Sequence, residues 1–413
     1  MTTEMPAPAN EVLRAEFCTA PGADPYAAYA EVRATCPVHK IDYPPNSEAY
    51  VVVDYETVSA SFSDLRLSKS VDNAPEWFRE VLRESSPILI KNMLTSDPPK
   101  HTRLRKLVNK AFVPRRMELL RPRIQEITDD LIDALPESGV VDLYNEFALQ
   151  LPMKVICEYL GVPLDDREQL HDWGMVLSGA PYADDESNQR LKAVSKSVED
   201  YLFDLMRTRR ADLRDDLISI ILRTADADDA YDDDELVSTL ILLIIAGHKT
   251  TANLVGNGTQ ALLNHPDQLA LLHARPELLE SAIEEMLRFE GPVYRAPQRF
   301  AAEDMRLGGQ DIGKESVVHL LINSANRDPE VFTDPNRLDI TRKPNRHLSF
   351  GHSVHFCPGA PLSRIEGQVA FATLLRRLPG LALATDELEW RFDNSASRGL
   401  VSLPITYDRK LPR

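Results

Sequence analysis

The chain reads as mainly α-helical with a small β-rich subregion, and three observations support this. Residues 118–222 carry apolar side chains at helical spacing in several successive segments. A long helix is expected from Glu235 to about Leu263, apolar nearly all round from Leu240 to Ala246 and therefore buried. By contrast, Met305 to Leu320 alternates with the two-residue period of strands, and Ala49 to Val53 reads as a further strand ending at Asp54.

In chain order, Asp24-Pro25 opens a first helix that reaches Cys36, proline being tolerated where its missing N–H has no partner. Residues 70–95 are irregular and mixed, with apolar Leu89, Ile90, Met93 and Leu94 near their end. Asp97-Pro98-Pro99 is a second helix start, and it places His101 and Arg105 four apart on one face. Taken alone, that segment is a solvated basic helix. Lys106, Lys110, Arg115, Arg116, Arg121 and Arg123 continue the basic run, for which ordinary surface charge is the simplest account. Tyr144 to Leu160 repeats close to every 3.6 residues, and Gly179 to Asp185 breaks the pattern as a loop between two helices. Ala225 to Asp234 is an acidic surface loop whose last acids suit the start of the next helix.

Inside that helix, Ala246-Gly247-His248-Lys249-Thr250-Thr251 alone suggests only local loosening. Ala246 and Thr250 are four apart and share a face with Leu242 and Leu243. Ser281 to Arg288 is helical and stops at Gly291-Pro292, with Glu285 and Arg288 on one face, where an exposed ion pair is the plain reading.

At 413 residues, length alone suggests two or three domains. The net charge of −17 and the pI near 5.1 argue against nonspecific nucleic-acid binding. Cys18, Cys36, Cys157 and Cys357 form no C-x-x-C pair and no disulfide framework, which fits a reducing cytosol. Residues 1–20 hold Glu4, Glu11 and Glu16 and no apolar core, so no signal peptide is expected. The longest apolar run, Leu240 to Ala246, is too short to span a bilayer, and a cytoplasmic protein without membrane attachment is expected.

The densest chemistry lies in His347-Leu348-Ser349-Phe350-Gly351-His352-Ser353-Val354-His355-Phe356-Cys357-Pro358-Gly359-Ala360. Cys357 stands just before a helix expected from Ala360 to Arg377, so it faces free N–H groups and the positive end of the helix dipole. Both favour a thiolate. A buried inert cysteine is the bland alternative. One thiolate with aromatic neighbours suits a haem iron better than zinc, which takes three or four protein ligands.

Phe350-Gly351-x-x-x-His355-x-Cys357-x-Gly359 resembles the haem-binding signature of the cytochrome P-450 superfamily, with Ser353 where that signature usually has glycine. Further segments resemble the family in its own order: Asp97 to Arg105, Ala246 to Thr251, the Glu285-x-x-Arg288 pair, Pro297-Gln298-Arg299-Phe300, and Ala325-Asn326-Arg327-Asp328-Pro329. The resemblance covers nearly the whole chain. It implies a single cytochrome P-450 domain over residues 1–413, of the soluble bacterial class like actinobacterial hydroxylases of macrolides and other natural products.

The resemblance also assigns roles. Cys357 is the metal ligand of haem b, with Phe350, His355 and Gly359 around it. His101, Arg105 and Arg299 hold the haem propionates. Ala246, Gly247, Lys249 and Thr250 form the oxygen-binding stretch, with Lys249 where the family has an acid. Leu89, Ile90, Met93, Leu94, Leu242, Leu243, Val293 and Ala296 line the substrate pocket, and the loop from Gly179 serves as its lid. Glu285, Arg288 and Arg337 form a buried structural network. Arg295 points outward or at a propionate, or else into the pocket toward a substrate carboxylate. Pro358 offers no N–H to the sulfur.

The implied activity is monooxygenation, with electrons passing from NAD(P)H through a ferredoxin reductase and a ferredoxin. The ferredoxin docks near Lys106, Lys110, Arg115 and Arg116. Two alternatives stand beside it: a haem-thiolate enzyme driven by peroxide or performing oxidative coupling, raised by Lys249, and a non-catalytic haem sensor in which Thr250 is dispensable.

Overall fold

The computed structural model describes residues 24–42, 47–85, 87–177, 185–227, 231–392 and 396–413. Cys18, the acidic N-terminal residues and nearly all of the loop from Gly179 lie outside them.

The described helices are α1 (Pro25–Arg33), α2 (Tyr55–Ser61), α3 (Glu76–Ser85), α4 (Lys100–Asn109), α5 (Pro114–Glu118), α6 (Arg121–Ala134), α7 (Gln150–Leu160), α8 (Arg167–Leu177) and α9 (Asp185–Ala211). They continue as α10 (Leu217–Asp226), α11 (Asp233–Leu263), α12 (Pro266–Ala274), α13 (Leu279–Phe289), α14 (Ile322–Ala325) and α15 (Ala360–Arg377). The strands are β1 (Val38–Asp42), β2 (Glu48–Val52), β3 (Leu67–Ser68), β4 (Gly139–Asp142), β5 (Arg299–Ala301) and β6 (Met305–Leu307). After them come β7 (Gln310–Ile312), β8 (Val317–Leu320), β9 (Ala382–Leu383), β10 (Trp390–Phe392), β11 (Arg398–Leu400) and β12 (Pro404–Tyr407).

The larger sheet has the order β1-β2-β8-β5-β3. Among the described strands only β2 and β8 run parallel, Ala49 facing Val317, which joins residues far apart in sequence. The expected alternation of Met305 to Leu320 resolves into the hairpin β6–β7 and the buried strand β8.

Helix α11 is the axis of the molecule. Asp232 caps it by accepting from the Glu235 N–H at 2.7 Å, and Asp233, Asp234 and Glu235 sit in its positive first turn. It is long and apolar enough to cross a membrane, yet here it packs against α7, α13 and α15 inside the core. Fully burying side chains such as Leu236, Leu240 and Ile244 contributes roughly 1.5–3 kcal/mol each.

Two expectations need adjustment. Tyr144 to Leu160 is not one regular helix: Tyr144–Ala148 is a π-helical turn leading into α7. Residues 70–95 are less irregular than expected, because Glu76–Ser85 is an α-helix between short 3-10 turns.

Candidate active site: a cysteine loop, a threonine helix and a buried cradle of cations

The cysteine loop is built on two left-handed positions, Gly351 at φ +68 and Ser353 at φ +62. The turn therefore survives the serine, which adopts a backbone that glycine adopts without steric penalty. A 3-10 turn over Ser353–His355 follows, and the Cys357 N–H donates to Phe350 O at 2.9 Å. Helix α15 starts at Ala360 and ends at Arg377, as expected. The Gly359 and Ala360 amides reach the sulfur, and Arg105 and Arg364 lie near enough to favour its charge, but burial outweighs them and raises the thiol. The expected thiolate is thus not a property of the helix end alone, and a coordinated cation would hold it deprotonated. Pro358 contributes no donor.

Beside the loop lies a cradle of nitrogen donors. His101 is 2% exposed, and neither ring nitrogen has a hydrogen-bond partner. Its ring lies 4.2 Å from that of His355. Burial and then the positive groups Lys69, His101, Arg299 and Arg105 push His355 down to about 2. Arg299 donates from Nη1 to Leu67 O at 3.0 Å while its Nε has no partner, and burial lowers it to about 10. Arg105 donates from Nη2 to Phe356 O at 2.6 Å, joining α4 to the cysteine loop. Lys69, which the sequence reading did not single out, is buried and donates to Pro297 O and Gln298 O at 3.0 and 2.9 Å. This concentration of donors suits a group carrying carboxylates. Together with Cys357, it fits a haem with an axial thiolate and two propionates.

Helix α11 supplies the facing wall. Although it is a core helix, Ala246 is exposed and Leu242, Ile245 and Thr250 are only half-buried, so one face is left uncovered by the chain. Leu243, expected on that face, is packed into the main core, and Ile245 takes the place expected for it. Gly247 has a packing role: a Cβ there would meet Ile156 of α7 at 3.4 Å. Thr250 Oγ1 donates back to Ala246 O at 2.7 Å, which loosens the helix at this point. Lys249 is buried. Val293 is half-buried and Ala296 buried, both packed in the cluster of the larger sheet, and Arg295 is buried with its Nε donating to Tyr294 Oη at 3.0 Å. Met93 is buried, and Leu89, Ile90 and Leu94 are half-buried.

One acid beside this wall escaped the sequence reading. Glu366 on α15 is 1% exposed and hydrogen-bonds Thr251, while burial raises it to about 8. Thr251 Oγ1 also donates to Ser363 Oγ at 3.3 Å, so the threonine helix meets the first turns of the cysteine helix here.

The buried network is corrected in one member. Glu285 pairs with Arg288 at 2.7–2.8 Å, but the second guanidinium on it is Arg342, at 3.1 Å to both oxygens, and not that of Arg337. Arg337 offers only its backbone carbonyl to Arg288.

The family model described as Cytochrome P450 matches residues 167–405. The chain belongs to the cytochrome P450 family. It is 44% identical to the "Cytochrome P450 monooxygenase PikC" of Streptomyces venezuelae over 392 residues, 94% of this chain and 92% of that one. It is 41% identical to the "6-deoxyerythronolide B hydroxylase" of Saccharopolyspora erythraea over 395 residues, covering 93% and 96%. The solved structure titled "The cytochrome P450 enzyme CxnD for C-S bond formation in chuangxinmycin biosynthesis" superposes with a TM-score of 0.91 at 52% identity, over 95% of this chain and 96% of that one. This chain is accordingly a P450 monooxygenase, a haem-thiolate enzyme, and the sensor alternative is set aside.

Proposed function

We propose that this P450, as one domain in the cytoplasm, uses haem b to hydroxylate or epoxidise a bulky, mostly apolar secondary metabolite. The observation that supports this reading is the contact of Thr251 with Ser363, which brings the helix carrying Leu242, Ala246 and Thr250 against the helix that follows Cys357. Cys357 would ligate the iron; His101, Arg105, Arg299 and His355 would hold the propionates; Phe350 and Gly359 shape the loop. When bound, the haem supplies oxygen activation, so that R–H, O2, two electrons and two protons give R–OH and water.

The chain's own part is to exclude bulk water, orient the substrate and hold protons. Leu89, Ile90, Leu94, Leu242, Ile245, Val293 and Ala296 give an apolar lining. The Thr250 hydroxyl lies on the open face and would turn from Ala246 O to act as a donor, and Lys249 stands where the family has an acid. Glu366 holds its proton up to about pH 8 beside Thr251, and serves as the local acid.

A ferredoxin delivering electrons from its reductase would dock on the cysteine side. Lys106, Lys110 and Arg115 are exposed, Arg105 of the same helix as Lys106 reaches Phe356 O, and opposite charge speeds such encounters. Arg116 is half-buried and pairs with Asp215 at 3.1 Å, so it belongs to that face less freely.

The likeness to CxnD, with its C–S bond formation, together with Lys249, favours oxidative coupling as a second reading. A screen for Soret shifts identifies a tight-binding natural product; ferredoxin-driven turnover under ¹⁸O2 then separates the two. One labelled oxygen in the product supports monooxygenation. A product without label, formed by loss of two hydrogens, would replace it with coupling.

A further inference from the structure

Glu284 on α13 gathers two side chains that flank the first aromatic residue of the cysteine loop. Arg364 of α15 donates to it from Nε at 2.6 Å and from Nη2 at 2.8 Å. His347 Nε2 meets the same carboxylate at 3.1 Å. The Ser349 N–H donates to His347 Nδ1 at 3.2 Å, so the ring proton stands on Nε2 and is donated to Glu284. Both partners also reach Phe350. The Arg364 guanidinium lies over the Phe350 ring, 4.5 Å from its centre, and the His347 ring is 6.1 Å away. Phe350 O in turn accepts from the Cys357 N–H at 2.9 Å.

The side chains of Glu284 and Arg364 are 29% and 33% exposed, and an ion pair that open to water is worth little to the fold. Its position is what sets it apart. Arg364 stands in the second turn of α15, near enough to Cys357 to favour a charge on the sulfur. Burial alone would raise the carboxyl of Glu284, but Arg364 and His347 hold it down to about 2, so it stays ionised at neutral pH. One positive and one negative charge are thus fixed beneath the cysteine loop. A positive charge beside the sulfur favours the form of the bound iron with one electron more, and a negative charge disfavours it.

We propose that Arg364, Glu284 and His347 set the reduction potential of the bound haem, Arg364 raising it through Cys357 and Phe350 while Glu284, held by His347, limits the rise. This rests on the reading above of Cys357 as the iron ligand. All three are positioning residues, since none touches the reacting atoms.

The test is the ferric–ferrous midpoint potential of the substrate-free holoprotein, measured by spectroscopic redox titration. Arg364→Gln should shift the equilibrium about threefold or more toward the ferric form, roughly 28 mV at about 59 mV per tenfold change for one electron. Glu284→Gln should shift it by a similar factor toward the ferrous form, because Arg364 then lacks its counter-charge. The double variant should fall between the two single ones, close to the wild type. Arg364→Lys keeps the charge and should stay nearer the wild type than Arg364→Gln. A merely structural ion pair would move both single variants the same way or neither, and either result would overturn the proposal. If Arg364→Gln does not hold haem, Glu284→Gln decides: a ferrous shift supports the proposal, and no shift or a ferric one overturns it. A wild type whose reduced CO complex lacks the strongly red-shifted Soret band would overturn the ligation by Cys357 and this proposal together.

Discussion

Two buried clusters of charge in this protein are built on opposite plans. Around Glu285 every charge is answered by the chain itself. Glu285 and Arg288 are both 0% exposed, and Glu285 accepts from Arg288, Arg342, Asn345 Nδ2 and the Asp339 N–H. Arg288 spends its remaining donors on the carbonyls of Asn326, Pro335 and Arg337. Around His101 the described residues leave several donors without an acidic hydrogen-bond partner. His101 keeps two ring nitrogens without partners, Arg299 keeps Nε, and the side chains of Lys69, Arg105 and Arg299 donate only to carbonyls and an amide oxygen. A closed cluster holds the fold, and an open one leaves donors for the propionates proposed to bind there. The difference tells a structural ion pair from a ligand cradle without any bound ligand.

Breaking the closed cluster has the largest expected effect. Glu285→Ala strands two guanidinium groups away from water, and removing one partner of a buried ion pair costs about 3–5 kcal/mol. Urea unfolding of the haem-free protein is the measurement. A loss below about 1 kcal/mol would mean that water or another carboxylate takes over, and the network would not be closed.

Glu366 is a third kind of buried charge, one discharged instead of matched. Its carboxyl is raised from 4.5 to about 8, so the sign runs against the usual acid. Below pH 4.5 folded and unfolded chains both carry the proton. Between there and about pH 8 the unfolded chain releases it and the folded chain keeps it, so stability falls as pH rises. Relative to the wild type, Glu366→Gln should gain up to about 1.4 kcal/mol per pH unit across that window. Parallel pH profiles for the two proteins would show that Glu366 is ionised in the fold.

The open cluster should respond the other way round. His101→Phe removes two buried ring nitrogens without partners and Arg299→Leu a buried guanidinium, so the haem-free protein should unfold at unchanged or higher urea. Haem retention, measured by transfer to apomyoglobin, should fall about 10–100-fold, the size typical of outer-shell changes around a bound metal. Destabilised haem-free protein with haem retention intact would make this cluster structural after all.

Much of this was legible because it is local. Helix α15 runs from Ala360 to Arg377 as read from the sequence, since Gly359, the Pro361 of its first turn and the following leucine carry the start signal themselves. The threonine helix was legible for the same reason, its apolar run being long and its acids lying in the first turn. What escaped depends on partners distant in sequence. Arg342 rather than Arg337 reaches Glu285 because of how the chain turns after Pro335, which no spacing records. Leu243 and Ile245 lie on either side of the row of Leu242 and Ala246, and only the core packed on one side decides which of them faces the chamber. Glu366 reads as an ordinary polar position until α11 is laid against it. Helix α3 is the short helix that the family resemblance implies within residues 70–95, and Trp77, Phe78, Val81 and Leu82 repeat there at helical spacing.

The smallest expected effect concerns the loop that both clusters flank. Ser353 occupies φ +62, and so lies in the left-handed region, two residues after Gly351 at φ +68. An L-residue there pays about 1–2 kcal/mol that glycine does not, because its Cβ crowds the following carbonyl. Glycine in turn loses more freedom on folding, worth roughly 0.5–1 kcal/mol. The Ser353 side chain is exposed, and the turn is closed by its backbone carbonyl accepting from the Phe356 N–H at 3.1 Å, a bond that glycine keeps. Ser353→Gly should therefore stabilise the protein by about 0.5–1 kcal/mol, with the Soret maximum unmoved. Thermal unfolding of the holoprotein reads the first outcome and the absorption spectrum the second. A destabilised Ser353→Gly would mean that the loop is held by its serine, and a shifted Soret band would mean that the residue positions Cys357. Either result would remove backbone strain as the account of this turn.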